Sequence, residues 1–349
     1  MKYSRKSISK AGQIIISSND WDEVADAIKV VNDWRELHLP VIKLLMEELK
    51  SFFHKNACPI VFSSYRLKRM SSIQYKLDLN PQMGLGGMQD IAGGRFVFQD
   101  ISILNNAKNF LLSYIIPHFE LVKTNDYISE PKDSGYRSIH LVYQYHSPTN
   151  EEWDQMKVEI QLRTRLQHSW AMAVETAGLV TNTAMKSGQG SDDWQYFFHL
   201  VSCLFSKKER TPVMQKYHSE TSKYLIDKLQ KIDRKNKYSD QLQALKQSLR
   251  IVENKSFSDE IYLLYIDFSS KSLRIQSFDK ESTNRANEQY NRIEEQIIDG
   301  HNAAVLVSVS DFKELKEAYP SYFLDMEDFN HILKKYLSVG KNSNLRKRS

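Results

Sequence analysis

Between Asp20 and about Lys55 the apolar residues Val24, Ala27, Ile28 and Val31, then Leu37, Val41, Leu44, Leu45 and Leu49, recur at helical spacing, which predicts two amphipathic helices. The stretch Arg66 to Leu77 reads as a further helix, and Pro81 to Gly87 as a loop by its proline and glycines. The middle of the chain changes period. Gly94 to Phe98 is a short apolar run, Ile103 to Ile115 is helical, and Ser138 to Tyr145 and Lys157 to Leu162 alternate as strands of one sheet do. Thr164 to Leu179 returns to helix, with His168, Met172 and Glu175 on related turns. After a loop at Ser187 to Asp193, a charged helical texture continues to about Asn254. From Glu260 on, YLLYIDFS and SLRIQSFD predict paired strands, followed by a helix over Asn284 to Asp299 and a buried strand over Ala303 to Val309. Two helices, Phe312 to Tyr319 and Met326 to Leu337, complete the pattern.

This pattern predicts an α+β protein: a mixed-sheet core flanked by helices, then a small α+β C-terminal domain. The expected division is N-terminal helices over 1–57, a core over 58–190, a helical connector over 191–254 and a second domain over 255–349. A chain of 349 residues suits two domains, and 41% hydrophobic with 26% charged residues is ordinary for a folded globular protein. The formal charge of +5 tolerates polyanionic partners. Basic residues gather at Lys207, Lys208 and Arg210, at Lys228, Lys231, Arg234, Lys235 and Lys237, and at Arg346, Lys347 and Arg348, as solvated helix faces and tails do or as an RNA-contacting surface would. Cys58 and Cys203 lack the spacing of a zinc site or disulfide framework, and a reducing cytoplasm fits. No run approaches the roughly 18 apolar residues of a membrane helix, and the apolar IIISS after the basic start is too short for a signal peptide core.

Four strings could carry chemistry. On a helix, Arg69, Ser72 and Lys76 share a face and could converge on one polyanion, with Arg66 and Lys68 close by; a basic solvated face has the same spacing. Asp90 precedes Gly93 and Gly94 at the mouth of a strand, where glycines permit close approach of a phosphate, although an aspartate there also caps turns. The loop Asp126 to Ser138 carries Lys132, Tyr136 and Arg137 and leads to His140; an aromatic ring among cations can stack on a base or simply pack in the core. Along Lys157 to Leu162 and beyond, Glu159, Gln161 and Arg163 face one side of a strand, either toward solvent or as an active-site floor. Glu159 with Asp90 would then supply the two carboxylates of a magnesium site.

In order, these strings read R-x-K-x-x-x-S-I-x-x-K, D-I-A-G-x-R, P-K-x-x-G-Y-x-S-I-H and E-I-Q-x-R-T. They resemble the synthetase domain of the RelA/SpoT family over about Ser63 to Trp170. The resemblance implies a nucleotidyltransferase-like core and a Mg²⁺-dependent pyrophosphokinase that moves pyrophosphate from ATP to a ribose hydroxyl. It implies that Arg66, Lys68 and Arg69 hold the ATP phosphates with support from Ser72 and Lys76, and that Asp90 and Glu159 bind the metal. Glu159 would also take the hydroxyl proton with Gln161 assisting, and Lys132, Tyr136 and His140 would bind the acceptor. Ser134 stands where many members carry asparagine, and His54, His118 and His199 do not make the H…HD pattern of the family's hydrolase domain, so alarmone hydrolysis is not expected.

The stretch from Asn284 onward is similar to the C-terminal part of CapRel-type fused toxin and antitoxin proteins. The resemblance implies that Tyr319 and Tyr322, in Tyr-Pro-Ser-Tyr, occupy the ATP pocket as an autoinhibitory element, whereas tyrosines beside a proline also commonly end a helix and pack in their own domain. It further implies a self-inhibited toxin that modifies the 3′ end of tRNA, blocks translation, and is released by a phage structural (capsid) protein. The same catalytic strings fit a small alarmone synthetase acting on GDP or GTP to give ppGpp and pppGpp, or an inactive nucleotide or RNA sensor.

Overall fold

The computed structural model of the protein describes residues 3–181, 192–247, 250–254, 261–267, 270, 272–297, 302–309, 312–319, 322–323 and 326–339. Three helices come first: α1 (Arg5–Ser17), α2 (Trp21–Glu36) and α3 (His38–Lys55). The side chain of Asp20 accepts from the backbone N–H groups of Asp22 and Glu23 and so starts α2. Helix α1 is an element the hydrophobic pattern did not lead us to expect, yet it buries Ile8, Ala11, Gly12 and Ile15 along one face. Gly12 is required there because a Cβ would stand 2.7 Å from Leu85 Cβ.

Next come β1 (Ile60–Leu67), α4 (Met70–Leu79), β2 (Ala92–Phe98), α5 (Ile101–Ser113), β3 (Phe119–Asp126), β4 (Ile139–Tyr145), β5 (Lys157–Thr164) and α6 (Arg165–Thr181). The helix expected over Arg66 to Leu77 is therefore corrected: Arg66 lies on a strand paired with Gly93, and the helix begins at Met70. Leu67 sits three residues before Met70 and imitates a helical turn, but pairing along β1 decides its conformation. Helices α7 (Asp192–Glu209), α8 (Ser222–Asn236) and α9 (Tyr238–Gln247) follow; of the loop expected at Ser187 to Asp193, residues 187–191 lie outside the described residues. Arg250–Asn254, expected to be helical, is strand β6. It pairs in parallel with β8 (Ser272–Phe278), and that partner overrides the local texture. Strand β7 (Ile261–Asp267), helix α10 (Thr283–Glu295), strand β9 (Asn302–Ser308), and helices α11 (Phe312–Ala318) and α12 (Glu327–Ser338) match the expected series.

The described strands form one nine-stranded sheet in the order β3-β4-β5-β2-β1-β9-β7-β8-β6. It is mixed: β2 runs parallel to β5, whereas β1 and β2, and β4 and β5, are antiparallel. The α+β class expected from the sequence is the class found. C-terminal strands extend the sheet of the core through a single residue pair, Tyr65 with Ser308. Helices α1 to α3 and α5 bury their apolar faces in one cluster with β2, β4 and β5. A second cluster gathers Trp170, Phe197, Phe198 and Phe205 with Phe329 and Leu333 of α12, so the last helix packs among the helices that follow the core. No helix among the described residues is long and apolar enough to cross a membrane.

Candidate active site

Strands β1, β2 and β5 lie side by side, and their polar faces line a cavity of about 100 Å³ with Ser64, Arg66, Lys68, Asp90, Gly93, Arg95, Glu159 and Gln161 in its wall. The register puts Gly93 beside Glu159 and Arg95 beside Gln161, so the DIAG and EIQ strings meet side by side. Gly93 is the glycine that keeps the cavity open. Gly94 answers to packing instead, since a Cβ would fall 2.3 Å from Met46 Sδ on α3.

Asp90 accepts from Lys68 Nζ and from Lys76 Nζ, each at 2.8 Å. Burial pushes its carboxyl up, but the two ammonium groups hold it down at about 2. Lys76 thus reaches Asp90 from α4, while Ser72, in the first turn of that helix, is not among the lining residues. Glu159 Oε2 meets His140 Nδ1 at 3.0 Å, and its Oε1 accepts from Gln161 Nε2 at 2.7 Å. Despite its burial, His140 holds Glu159 below the ordinary range and so anionic.

From Glu159 a ring of bonds runs outward. His140 Nε2 meets the Tyr136 hydroxyl at 2.9 Å, Arg163 donates to that hydroxyl and also to Gln161 Oε1 at 2.6 Å, and Gln161 returns to Glu159. Burial lowers His140, but Tyr136 and Glu159 raise it to about 9; burial raises Tyr136, but Arg163 and His140 pull it down to about 7. Lys132 Nζ lies 4.2 Å from the Tyr127 ring and 5.5 Å from the Tyr136 ring. Lys132, Tyr136 and His140 therefore stand together, with Tyr136 only 8% exposed and packed in the Trp170 cluster rather than presenting an open stacking face. Its position follows from Gly135, whose φ of +84° turns the loop.

The C-terminal part enters the same space. Tyr319 lines the cavity; the guanidinium carbons of Arg66 and Arg95 lie 6.0 and 5.8 Å from its ring centroid, and Arg95 Nη1 donates to Ala318 O at 3.2 Å. Arg69 Cζ lies 5.1 Å from the Tyr322 ring and its Nη2 pairs with Glu175 at 3.2 Å. Burial, Arg163 and Arg66 lower Arg95 to about 10. Arg95 and Glu175 were given no role by motif reading, and Arg163 only a place on the face of Glu159 and Gln161. The two arginines were visible in the D-I-A-G-x-R and E-I-Q-x-R-T strings, but Glu175 belongs to the site only through α6.

Residues 65–179 match the family described as a region found in RelA / SpoT proteins. The Bacillus subtilis GTP pyrophosphokinase YwaC is 30% identical over 160 residues, 42% of this chain and 75% of that protein. The chain belongs to the RelA/SpoT family. A second relative, the Bacillus subtilis GTP pyrophosphokinase YjbM, is 38% identical over 115 residues, 32% of this chain, and the match spans 54% of that protein's length. Among solved structures, small alarmone synthetase 1 from Bacillus subtilis bound to pppGpp has a TM-score of 0.43 at 27% identity, covering 51% of this chain and 93% of that one. A GTP pyrophosphokinase family protein from Streptococcus pneumoniae has a TM-score of 0.41 at 20% identity, covering 60% and 98%. The matched RelA/SpoT region holds Asp90, Glu159 and the bond ring; Tyr319 and Tyr322 lie outside it.

Asp90 and Glu159 are the two carboxylates a magnesium ion would use here, although in this arrangement Lys68 and Lys76 hold both oxygens of Asp90, and His140 and Gln161 hold those of Glu159. Both are anionic hard-oxygen donors on one cavity, close enough for the charge of Asp90 to act on Glu159. Two carboxylates leave the remaining octahedral positions for water and phosphate oxygens.

Proposed function

We propose that this chain is a pyrophosphokinase that moves the terminal pyrophosphate of ATP to a ribose hydroxyl, and that its C-terminal part holds the site shut through Tyr319 and Tyr322. The observation that carries this reading is the place of Tyr319 in the wall of the cavity it shares with Asp90, Glu159, Arg66 and Arg95. The acceptor oxygen bonds to the β-phosphorus, the bond from that phosphorus to the oxygen bridging to the α-phosphate breaks, and AMP leaves. Arg66, Lys68, Arg69 and Arg95 grip the phosphates, with Lys76 and Ser72 behind them, and orient the donor. Mg²⁺ held by Asp90 and Glu159 would neutralise charge on the migrating group. Glu159, positioned by Gln161 and His140, takes the hydroxyl proton. Lys132, Tyr136 and His140 receive the acceptor once Tyr136 turns from its packed position.

In the closed arrangement, aromatic rings cover cations that would bind polyphosphate. Each such contact contributes on the order of 0.5–2 kcal/mol, and ATP cannot share that space. A trigger must therefore bind the open arrangement better than the closed one, by about 10⁴-fold for a full switch. In this reading the acceptor is the 3′ end of tRNA, the product blocks translation, and a phage structural protein binding the C-terminal part is the trigger. Support for RNA comes from exposed Lys208 at the end of α7, Arg210 just after it, Lys231, Arg234 and Lys235 on α8 and Lys237 just after that helix; Arg346, Lys347 and Arg348 lie outside the described residues.

A second reading is favoured by the relatives, both GTP pyrophosphokinases by name: a small alarmone synthetase using GDP or GTP in the cytoplasm. ATP labelled on its γ-phosphate, offered with bulk tRNA or with GDP and GTP to the full chain and to its opened Tyr319→Ala, Tyr322→Ala variant, decides between them. Label on tRNA supports the toxin, label on guanosine nucleotides alone replaces it with the synthetase, and no transfer to either leaves a nucleotide or RNA sensor.

A further inference from the structure

On the sheet face opposite Tyr319, a second cavity of about 280 Å³ opens where the core meets the C-terminal part. Leu39 and Pro40 of α3 and Tyr65 and Leu67 of β1 form one wall; Ile261, Leu306 and Tyr290 form the other. Among the described residues the two walls are paired along the sheet through Tyr65 and Ser308 alone, so the cavity is the gap that this sparse junction leaves between α3 and α10. Its lining is largely apolar and aromatic, with Lys43, Arg66, Lys280, Thr283, Asn287 and Ser308 as the polar members. Asn287 on α10 is 3% exposed, and its Oδ1 is buried with no hydrogen-bond partner among the described residues. Lys43, on α3 beside the cavity, is partly exposed, and Lys280 stands at the opposite rim.

An orphaned buried acceptor is costly to a fold, and apolar packing at Asn287 would have cost less. A bound molecule that donates to it removes the cost. An apolar cavity of about 150 Å³ takes benzene, so this one has room for a fused or paired ring system. We propose that this seam is a binding site for a small amphipathic anion: a flat apolar body, an N–H or O–H that donates to Asn287 Oδ1, and an acidic group that meets Lys43 and Lys280. Because both walls are needed to form the site, its ligand binds the closed arrangement and stabilises it. The site stands on its own geometry and does not depend on which acceptor the enzyme uses.

The probe is 8-anilinonaphthalene-1-sulfonate, which carries a ring body, an anilino N–H and a sulfonate, added to the full chain and followed by fluorescence and by thermal unfolding. Expected are saturable binding of one probe per chain, a rise in the unfolding midpoint with probe, and binding weakened about tenfold in Lys43→Glu. In Asn287→Leu the expected result is divergent: weaker probe binding together with a higher midpoint without probe, because the orphaned oxygen is gone. A purely structural asparagine would instead lower the midpoint. If Asn287→Leu does not fold, the Lys43→Glu comparison stands alone. Absence of saturable one-to-one binding, or binding unchanged in Lys43→Glu, overturns the proposal.

Discussion

The guanidinium of Arg35, 1% exposed on α2, pairs with Glu294 of α10 at 3.0 Å across the junction between the N-terminal helices and the C-terminal part. The other oxygen of Glu294 accepts from Met70 N, at the start of α4, and from the Tyr290 hydroxyl, which itself accepts from Arg35. One carboxylate thus holds α2, α4 and α10 together. Removing one member of a buried pair strands the other, so Glu294→Ala should cost about 3–5 kcal/mol in urea unfolding, whereas Arg35→Met with Glu294→Leu should recover most of that loss. Equal losses in the single and double variants would contradict the assignment.

Adjacent glycines on β2 should respond oppositely. Gly94→Ala drives a methyl toward Met46 Sδ at 2.3 Å and Ile160 Cδ1 at 2.8 Å, and overpacking of this kind costs about 1–3 kcal/mol. At Gly93 a Cβ would meet only Glu159 O at 3.7 Å, so Gly93→Ala should unfold with the wild type yet, in the opened Tyr319→Ala, Tyr322→Ala background, bind ATP more weakly by narrowing the cavity. Thermal unfolding together with nucleotide titration separates the two.

His140 gives the site a pH signature. Its pKa is raised from 6.5 to about 9, because Tyr136 and Glu159 outweigh burial, so the folded state binds the proton more tightly than the unfolded chain does. The stabilisation is full below 6.5 and is lost as pH rises through about 9. In His140→Gln, stability measured across that window should fall less steeply than in the wild type. A parallel fall in both would show that another group carries it.

The parts of this architecture with a clean signal were readable: the alternation of β4 and β5, the apolar runs of β7 and β9, and the helical spacing of α2, α3 and α10 to α12. Strands β1 and β3 were not, and both carry a register shift, between Ile60 and Phe62 and between Leu121 and Lys123, which interrupts the alternation a reader relies on. Among the site residues, Glu159, Gln161 and Arg163 were placed on one face by period alone, and the bond ring has them there. The common target of Lys68 and Lys76 was hidden, because it depends on β1 ending at Leu67 and delivering both lysines to Asp90 from different elements. The Arg35 and Glu294 pair, far apart in sequence, had no local signal.

The central claim is that Tyr319 and Tyr322 close a competent pyrophosphokinase site, and the most direct measurement is transfer of γ-labelled pyrophosphate from ATP by the purified full chain and its Tyr319→Ala, Tyr322→Ala variant. The account predicts little transfer by the wild type and a gain of about tenfold or more in the double variant, since three lost ring contacts at about 0.5 kcal/mol or more each come to about 1.4 kcal/mol or more. Adding Asp90→Asn to the double variant should abolish that gain. A folded double variant no more active than the wild type would contradict the account.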